Sequence, residues 1–407
     1  LSLFGFTATF KQCRDPQPAP EEKNGEDMRI VAVETSIVSL PYDMGGPHPA
    51  FAGRPWTQME ILLVKVETEG GLVGWGEAFG HACIPATKAA LDTIVAPLVL
   101  GRDSGDIATL AHDVLRAVHL LGRNGPFVYA FSGIEIALWD IKGKRSGLPL
   151  YRILGGGEPR ADVPAYASLL RYGDPDLAAR NAAAAAGQGF RYIKLHEVTR
   201  EAVMAAKAAC SAQQPQIMLD VNCAWTVDQA CRMADALRPD GLCWLEEPVW
   251  PPEDYEGLAE VRRRGIPIAA GENAAGLHAF LSLAKAGGID IAQPSVTKIG
   301  GIGEMLRVIE RCGPLGVKVA PHSPYFGPGF IATLHICAAL TPESPIEVLW
   351  ADMEANPFDP WVRTQGGRAR VPQGPGLGCE PDSAVLERYQ QDKLVRHTWR
   401  SETGANA

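Results

Sequence analysis

Residues 29–40, RIVAVETSIVSL, alternate apolar and polar side chains in the way of a half-buried strand. A Gly/Pro-rich loop comes next, PYDMGGPHPAFAGRPW. MEILLVKVETEGGLVGWGEA then reads as two strands around the turn Glu69-Gly70-Gly71. From about 86 to 153 the spacing becomes helical, in ATKAALDTIVAPLVL, IATLAHDVLRAVHLL and FSGIEIALWDIKGKRSG. Strands followed by helices predict an α+β unit over 28–155. The run Gly155-Gly156-Gly157-Glu158-Pro159 marks its end.

After 160 short apolar segments alternate with Ala- and Leu-rich helical stretches. Eight segments read as strands: VPAYASLL, RYIKLHE, QIMLDVN, LCWLEEP, IPIAAGEN, IDIAQPS, VKVAPHS and IEVLW. From the second onward they end in His196, Asp220, Glu246, Glu272, Ser295, His322 and Glu347, at separations of 24, 26, 26, 23, 27 and 25 residues. A strand, a loop and a three-turn helix use about that much chain, so the period predicts a closed (β/α)8-type barrel. The competing arrangement is an open doubly wound sheet, but no G-x-G-x-x-G follows a strand. The fold class is α/β: an α+β domain ahead of a TIM-like barrel over 156–365. The segment 366–400 leaves the barrel period and is expected to pack back on the first domain.

Composition narrows the choices. Of 407 residues, 46% are hydrophobic and 21% charged, which suits a globular protein and excludes a disordered or fibrous one. No apolar run reaches the roughly 18 residues of a membrane span, so no membrane partner is expected. The net charge of −9 argues against a nucleic-acid partner. Nine cysteines with no CxxC pair predict reduced thiols in a cytoplasmic protein. Residues 1–27 make a poor secretory signal and read as a disordered extension, as does the tail from Ser401.

In a barrel of this kind the reacting groups stand at the C-terminal ends of the strands. Asp220, Glu246 and Glu272 end three consecutive strands. Three converging carboxylates repel one another unless a cation sits among them, and oxygen-only ligation suits Mg²⁺ first and Mn²⁺ next. The competing reading is three helix-capping acids. Strand parity puts Lys194 with His196, and Asp220 with Asn222, on shared faces. The same parity turns Glu247 away from Glu246, toward a structural role. A desolvated Lys194 is expected to have a depressed pKa and to serve as base or electrostatic clamp. His196 and His322 are candidate proton carriers on opposite sides of a substrate. Glu347, if buried and protonated, could donate a hydrogen bond. Lys298, in a turn after the sixth strand, lies near the site or pairs with Glu247. His48 and His81 belong to first-domain loops able to reach over the barrel mouth, where His48, Phe51, Arg54 and Trp56 would touch substrate. Tyr325, in the Ser323–Gly329 loop, adds an aromatic wall. His112, His119 and His335 read as structural.

Seven fragments together carry a family resemblance: IALWDIKGK at 136–144, YIKLH at 192–196, LDVNCAW at 219–225, WLEEP at 244–248, AGEN at 270–273, KIGGI at 298–302 and APHS at 320–323. In this order and spacing the chain resembles the mandelate racemase and muconate lactonizing enzyme branch of the enolase superfamily. The resemblance implies an N-terminal capping domain, completed by the C-terminal segment, on a (β/α)7β barrel. It implies Mg²⁺ held by Asp220, Glu246 and Glu272, and abstraction of the proton α to a carboxylate to give an enediolate. The third ligand within Gly-Glu-Asn looks like the mandelate racemase subgroup, rich in acid-sugar dehydratases. There the second-strand motif is usually Lys-x-Lys; here the second position is His196. The subgroup's seventh-strand base matches His322, but its usual sixth-strand Asp partner is replaced by Ser295.

The expected activity is a lyase that dehydrates a hydroxy acid or sugar acid to a 2-keto acid. His196 would take the proton, Lys194 would steady the charge, and His322 would assist loss of the β-hydroxyl. A racemase or epimerase using both histidines is the alternative, and a metal-binding homologue without turnover is a third. The expected partner is a small carboxylate, held also by Asn222, Ser295, Lys298, His48, Arg54 and Tyr325. The resemblance further implies a homo-oligomer, from dimer to octamer.

Overall fold

The computed structural model describes residues 28–51, 53–155, 160–341 and 343–400. The extension expected over 1–27, most of the 155–159 boundary run and the tail from Ser401 fall outside the described residues.

Ile30–Asp43, Gln58–Thr68 and Val73–Ala78 form an antiparallel meander. Val33, Leu62, Val64 and Val66 pack with Phe131, Ile134 and Leu138 of the helix Pro126–Ser146 in one apolar cluster. The helix comes so near the strand Val73–Ala78 that a Cβ on Gly74 would collide with Ala137 O, and one on Gly76 with Gly133 O. Glycine is what lets these two backbones meet. The helical run His81–Val99 is long and apolar enough to cross a bilayer by composition, which differs from the expectation drawn from apolar run length. Leu91, Val95 and Val99 are its buried side, in the same cluster as Phe131, so here it is a core helix.

Each of the eight candidate segments carries one parallel strand: Asp162–Leu169, Tyr192–Leu195, Gln216–Asp220, Leu245–Glu246, Ile268–Ala270, Ile291–Ala292, Lys318–Val319 and Ile346–Leu349. The first seven pair in chain order, and the eighth pairs with the first, Glu347 opposite Tyr166. This closure excludes the open sheet. Between the seventh and eighth strands no ladder forms among the described residues. Ser323 bridges that seam, its N–H donating to Glu347 Oε2 (2.9 Å) and its hydroxyl to Glu347 O (3.2 Å). Tyr166, Met218, Trp244, Ala269 and Ala320 form an apolar plug of their own, the packed interior such barrels require.

The C-terminal segment first meets the barrel. Arg368–Arg370 pairs antiparallel with the first barrel strand, Ala369 opposite Val163. Only later does Val395–Thr398 join the edge of the capping sheet, alongside Ile30–Asp43.

Helix starts divide the barrel into two halves. The helices after strands one to four carry their own N-caps: Asp174, Thr199, Thr226 with its Gln229 capping box, and Asp254. Such caps satisfy N–H groups that have no partner inside the helix. The helices after strands five to seven, Gly276–Lys285, Ile302–Cys312 and Pro328–Leu340, have no side-chain cap of their own. They borrow acids. Glu304 accepts from Leu277 N at 2.7 Å. Glu135 of the capping helix accepts from Ile302 N (2.7 Å) and Gly303 N (2.8 Å). Glu77 of the capping sheet accepts from Gly327 N (3.1 Å) and Gly329 N (2.9 Å). Glu77 and Glu135 are both buried, so the capping domain is fastened to the barrel by two carboxylates on helix N-termini.

Candidate active site

The strand ends gather the acids. Asp220, Glu246 and Glu272 each offer an oxygen, and the three oxygens lie within 4.8 Å of one another. Asp220 and Glu246 are fully buried, while Glu272 keeps a little exposure. Such crowding of anions calls for positive charge. Lys194, itself completely buried, supplies part of it. Its Nζ lies 2.9 Å from Glu246 Oε1, 3.2 Å from Asp220 Oδ2 and 2.8 Å from Glu347 Oε1. One ammonium does not neutralise four acids. Burial, with the charge of Asp220 adding to it, still drives the Glu246 carboxyl well above its ordinary range. The donor set, carboxylate oxygens with no sulfur among them, fits a hard divalent cation.

Two histidines flank the acids. His196 Nδ1 lies 2.5 Å from Leu169 O. A carbonyl only accepts, so Nδ1 carries a proton and Nε2, 3.1 Å from Asp220 Oδ2, faces the site. His322 Nε2 lies 2.8 Å from Glu272 Oε2. Its Nδ1 is 2.5 Å from Ser295 Oγ. Ser295 therefore occupies the place of the imidazole's partner, with a hydroxyl where a carboxylate is usual. His322, Lys194 and Ser295 are all buried.

Two family models match the chain. The one described as mandelate racemase / muconate lactonizing enzyme, N-terminal domain, covers residues 33–155. The one described as enolase C-terminal domain-like covers 176–385. The chain belongs to the mandelate racemase / muconate lactonizing enzyme family. It is similar to D-galactarolactone cycloisomerase of Agrobacterium fabrum, 32% identical over 89% of this chain and 99% of that one. It is also similar to arabinonate dehydratase of Saccharolobus solfataricus, 30% identical over 82% of this chain and 91% of that one. Among solved structures it resembles L-talarate/galactarate dehydratase of Salmonella typhimurium liganded with Mg and L-lyxarohydroxamate. That match has a TM-score of 0.80 at 27% identity, over 95% of this chain and 99% of that one.

Several residues of this family member stand otherwise than expected. Lys194 is not depressed. Burial alone would lower it, but Glu246, Glu347 and Asp220 hold the ammonium well above its ordinary value, which favours the clamp over the base. Glu347 is buried but not a protonated donor. Burial would raise it, yet Lys194 and His322 bring its carboxyl down to about 2. It accepts from Ser168 Oγ at 2.8 Å and from Ser323 N. Asn222 does not share the face of Asp220: its backbone is left-handed (φ 47), and its exposed side chain lies 3.4 Å from Arg171. Parity would turn Glu247 away from the site, but parity fails at its left-handed backbone (φ 42). Glu247 instead accepts from Gly271 N at 2.9 Å, beside the triad. Burial, then the neighbouring Glu272, raise it to about 8.

The capping residues divide. His48 is exposed and packs edge-on against Tyr42, with ring centroids 4.9 Å apart. Arg54 pairs with Phe51 in a two-residue hairpin, and the side chains of both fall outside the described residues. Lys298 is buried, its Nζ 4.8 Å from the centroid of Phe79, and makes no ion pair with Glu247 among the described residues. Tyr325 is buried between Phe79 (6.2 Å) and His322 (6.3 Å). His335 is buried far from these acids, between Tyr151 N and Leu377 O, as a structural residue. Sequence reading passes over Tyr166, whose ring lies 5.7 Å from Lys194 Nζ, and Phe79. Tyr166 is an unremarkable strand residue, and Phe79 an unremarkable loop residue just past a capping-domain strand, until cap and barrel come together.

Proposed function

We propose that this chain is a Mg²⁺-dependent dehydratase that converts a sugar acid to a 2-keto acid. The observation that carries the reading is the pairing of a three-carboxylate cluster with two histidines presenting Nε2 to it from different strands. Asp220, Glu246 and Glu272 would hold the ion. Bound there, Mg²⁺ supplies positive charge to the substrate carboxylate and makes its α-proton more acidic.

The protein's own groups do the rest. Lys194 holds a fixed ammonium against the charge that grows as the α-proton leaves. Its salt bridge to Glu347 keeps it in place. His196 would take the proton at Nε2, since Nδ1 is committed to Leu169 O, once Asp220 holds the ion instead of the ring. His322 gives one: Glu272 only accepts, so the nitrogen facing it carries a proton, and that proton can leave with the β-hydroxyl. Ser295 holds the far side of the ring. The apolar plug beneath Lys194 closes the barrel floor to water. We place the protein in the cytoplasm, a reading supported by eight free cysteines among the described residues.

The relatives include a cycloisomerase, which favours a second reading: the same proton abstraction followed by return of the proton rather than loss of water. Proton NMR in D₂O with Mg²⁺ and a panel of aldonic and aldaric acids separates the two. Loss of the α-proton signal with a new 3-deoxy-2-keto acid is the expected result. Exchange without loss of water would establish the second reading. His196→Ala should abolish exchange and leave Mg²⁺ binding intact; exchange that survives would remove His196 from the base role.

A further inference from the structure

A cleft of about 950 Å³ opens where the capping helices Ile107–Ala117 and Pro126–Ser146 meet the barrel helices Gly276–Lys285 and Ile302–Cys312. It lies apart from the barrel mouth, since none of the acids or histidines placed there lines it. Its volume is that of a small-molecule site. Its lining gathers cations in a chain whose net charge is −9. Arg116 comes from the first capping helix, Arg123 from the loop after it, Lys142 from the second capping helix and Arg307 from Ile302–Cys312. His112 and Arg116, four residues apart, share one helix face. His119 Nδ1 donates to Arg116 O at 2.7 Å, which sets that ring beside them, and His278 joins from Gly276–Lys285.

The charges of this cleft are not matched to one another. Three acids line it, and each is already engaged. Asp106 caps its own helix, accepting from Thr109 N at 3.1 Å. Glu304 accepts from Leu277 N and from Arg307 Nη1 (2.8 Å). Glu135 is buried and accepts from Ile302 N, Gly303 N and the Trp139 indole (2.8 Å). Burial raises its carboxyl to about 7, so near neutral pH it carries only part of a charge. The cations are in the reverse position. Arg116, Arg123 and Lys142 make no ion pair among the described residues, and the Lys142 ammonium lies over the Trp139 ring at 4.5 Å. Like charges that gather without acids repel one another, and a bound anion removes that cost.

Guanidinium groups pair with phosphate through two parallel hydrogen bonds. A phosphate monoester offers a charge of about −1.5 to −2 and three acceptor oxygens in one compact group. A carboxylate offers one charge and two oxygens. Three unpaired cations with imidazole donors beside them suit the former. The cleft leaves room for more than the phosphate group, which favours an organic ester over the bare ion. We propose that this cleft is a second binding site, separate from the barrel mouth, for a small phosphate monoester such as a sugar phosphate, held by Arg116, Arg123 and Lys142. The site does not depend on which reaction the mouth carries out. It adjoins Glu135, one of the two carboxylates that fasten cap to barrel.

Calorimetry on the Mg²⁺-loaded protein tests this with glucose 6-phosphate, glucose 6-sulfate and glucose. The sulfate ester keeps the sugar and the oxygens but carries a single charge. Arg116→Gln and Arg123→Gln remove the proposed partners. Arg311→Gln, at the far end of Ile302–Cys312, removes an exposed charge that does not line the cleft. All three side chains are exposed, so the variants should fold, and thermal melts check that they do. Glucose 6-phosphate should bind with a Kd of about 1 mM or tighter. Each cleft variant should weaken it by about tenfold or more, and Arg311→Gln should leave it unchanged. The sulfate ester should bind more weakly, glucose should give no heat, and added salt should loosen the complex. No binding at about 10 mM ester overturns the site. Binding that ignores both cleft variants puts the ester elsewhere, the ion of the barrel mouth included, and overturns it equally. A sulfate ester held as tightly as the phosphate overturns the choice of ligand.

Discussion

The barrel mouth and the seam between cap and barrel both bury carboxylates, and they do so in opposite ways. At the mouth, Asp220, Glu246, Glu272 and Glu347 crowd one another and are held by the Lys194 ammonium and the ring nitrogens of the facing histidines. At the seam, Glu77 and Glu135 stand apart, satisfied by backbone N–H groups at two helix starts and, for Glu135, by the Trp139 indole. The electrostatics differ accordingly. Burial outweighs the hydrogen bonds at the seam and raises both Glu77 and Glu135 to about 7. At the mouth, burial is outweighed for Glu347 by Lys194 and His322, and for Glu272 by His322, and both fall to about 2. Glu272 and Glu347 keep their charge although Glu246 beside them is raised, and the seam uses the same residue type for its shape and acceptor oxygens.

The largest effect should come from removing the ammonium. Lys194→Met leaves Glu246, Asp220 and Glu347 without their cation, at a cost of about 3–5 kcal/mol to the metal-free protein in urea melts. It should also slow α-proton exchange by about 10³-fold. A variant as stable as wild type would mean that these acids are already protonated, and the contrast with the seam would disappear. Metal addition comes next. Mg²⁺ at a hundred times its Kd should raise stability by about 2.7 kcal/mol. Glu246→Gln should abolish that gain and Glu77→Leu should keep it; if both lose it, the two regions are not independent.

Glu77→Leu has the smallest effect. It strands the N–H groups of Gly327 and Gly329, costing about 1–3 kcal/mol, with Mg²⁺ affinity unchanged. Its pH signature is more telling than its size. Because Glu77 is raised from 4.5 to about 7, the folded protein holds that proton more tightly than the unfolded chain. Stability should therefore fall as pH rises from 4.5 to about 7 and level off above. Glu347 contributes the reverse: stability present above 4.5 and lost as pH falls toward 2. Chemical melts across that range should show Glu77→Leu with a shallower first slope, the share of Glu135 remaining, and the second slope unchanged.

What could be read from sequence was what recurs. Eight strands at a near-constant period placed Asp220, Glu246 and Glu272 together because a barrel converts equal spacing along the chain into convergence in space. Lys194 and His196 could be paired by parity for the same reason. Parity failed where the backbone leaves the strand, at Asn222 and Glu247: asparagine adopts the left-handed region more readily than most residues, but glutamate carries no such mark. Glu77 and Glu135 were invisible for a different reason: each serves a helix about 170 residues or more further along the chain, as the Glu135–Ile302 and Glu77–Gly329 hydrogen bonds show. The direction of the Lys194 shift is hidden in the sequence, because burial lowers it there and the opposing acids gather only when the barrel closes. Ser295 was legible as a departure, while its contact with His322 depends on how two neighbouring strands are registered.

The borrowed helix caps have a consequence for how such a protein can change over evolutionary time. Glu77 and Glu135 seat on the helices that follow the strands bearing His322 and Ser295, whereas strands three to five, which bear the three acids, feed helices fastened within the barrel itself. Drift in the capping domain can therefore shift one half of the mouth against the other. A lineage could retune what it accepts through the cap while inheriting the ion-holding half intact.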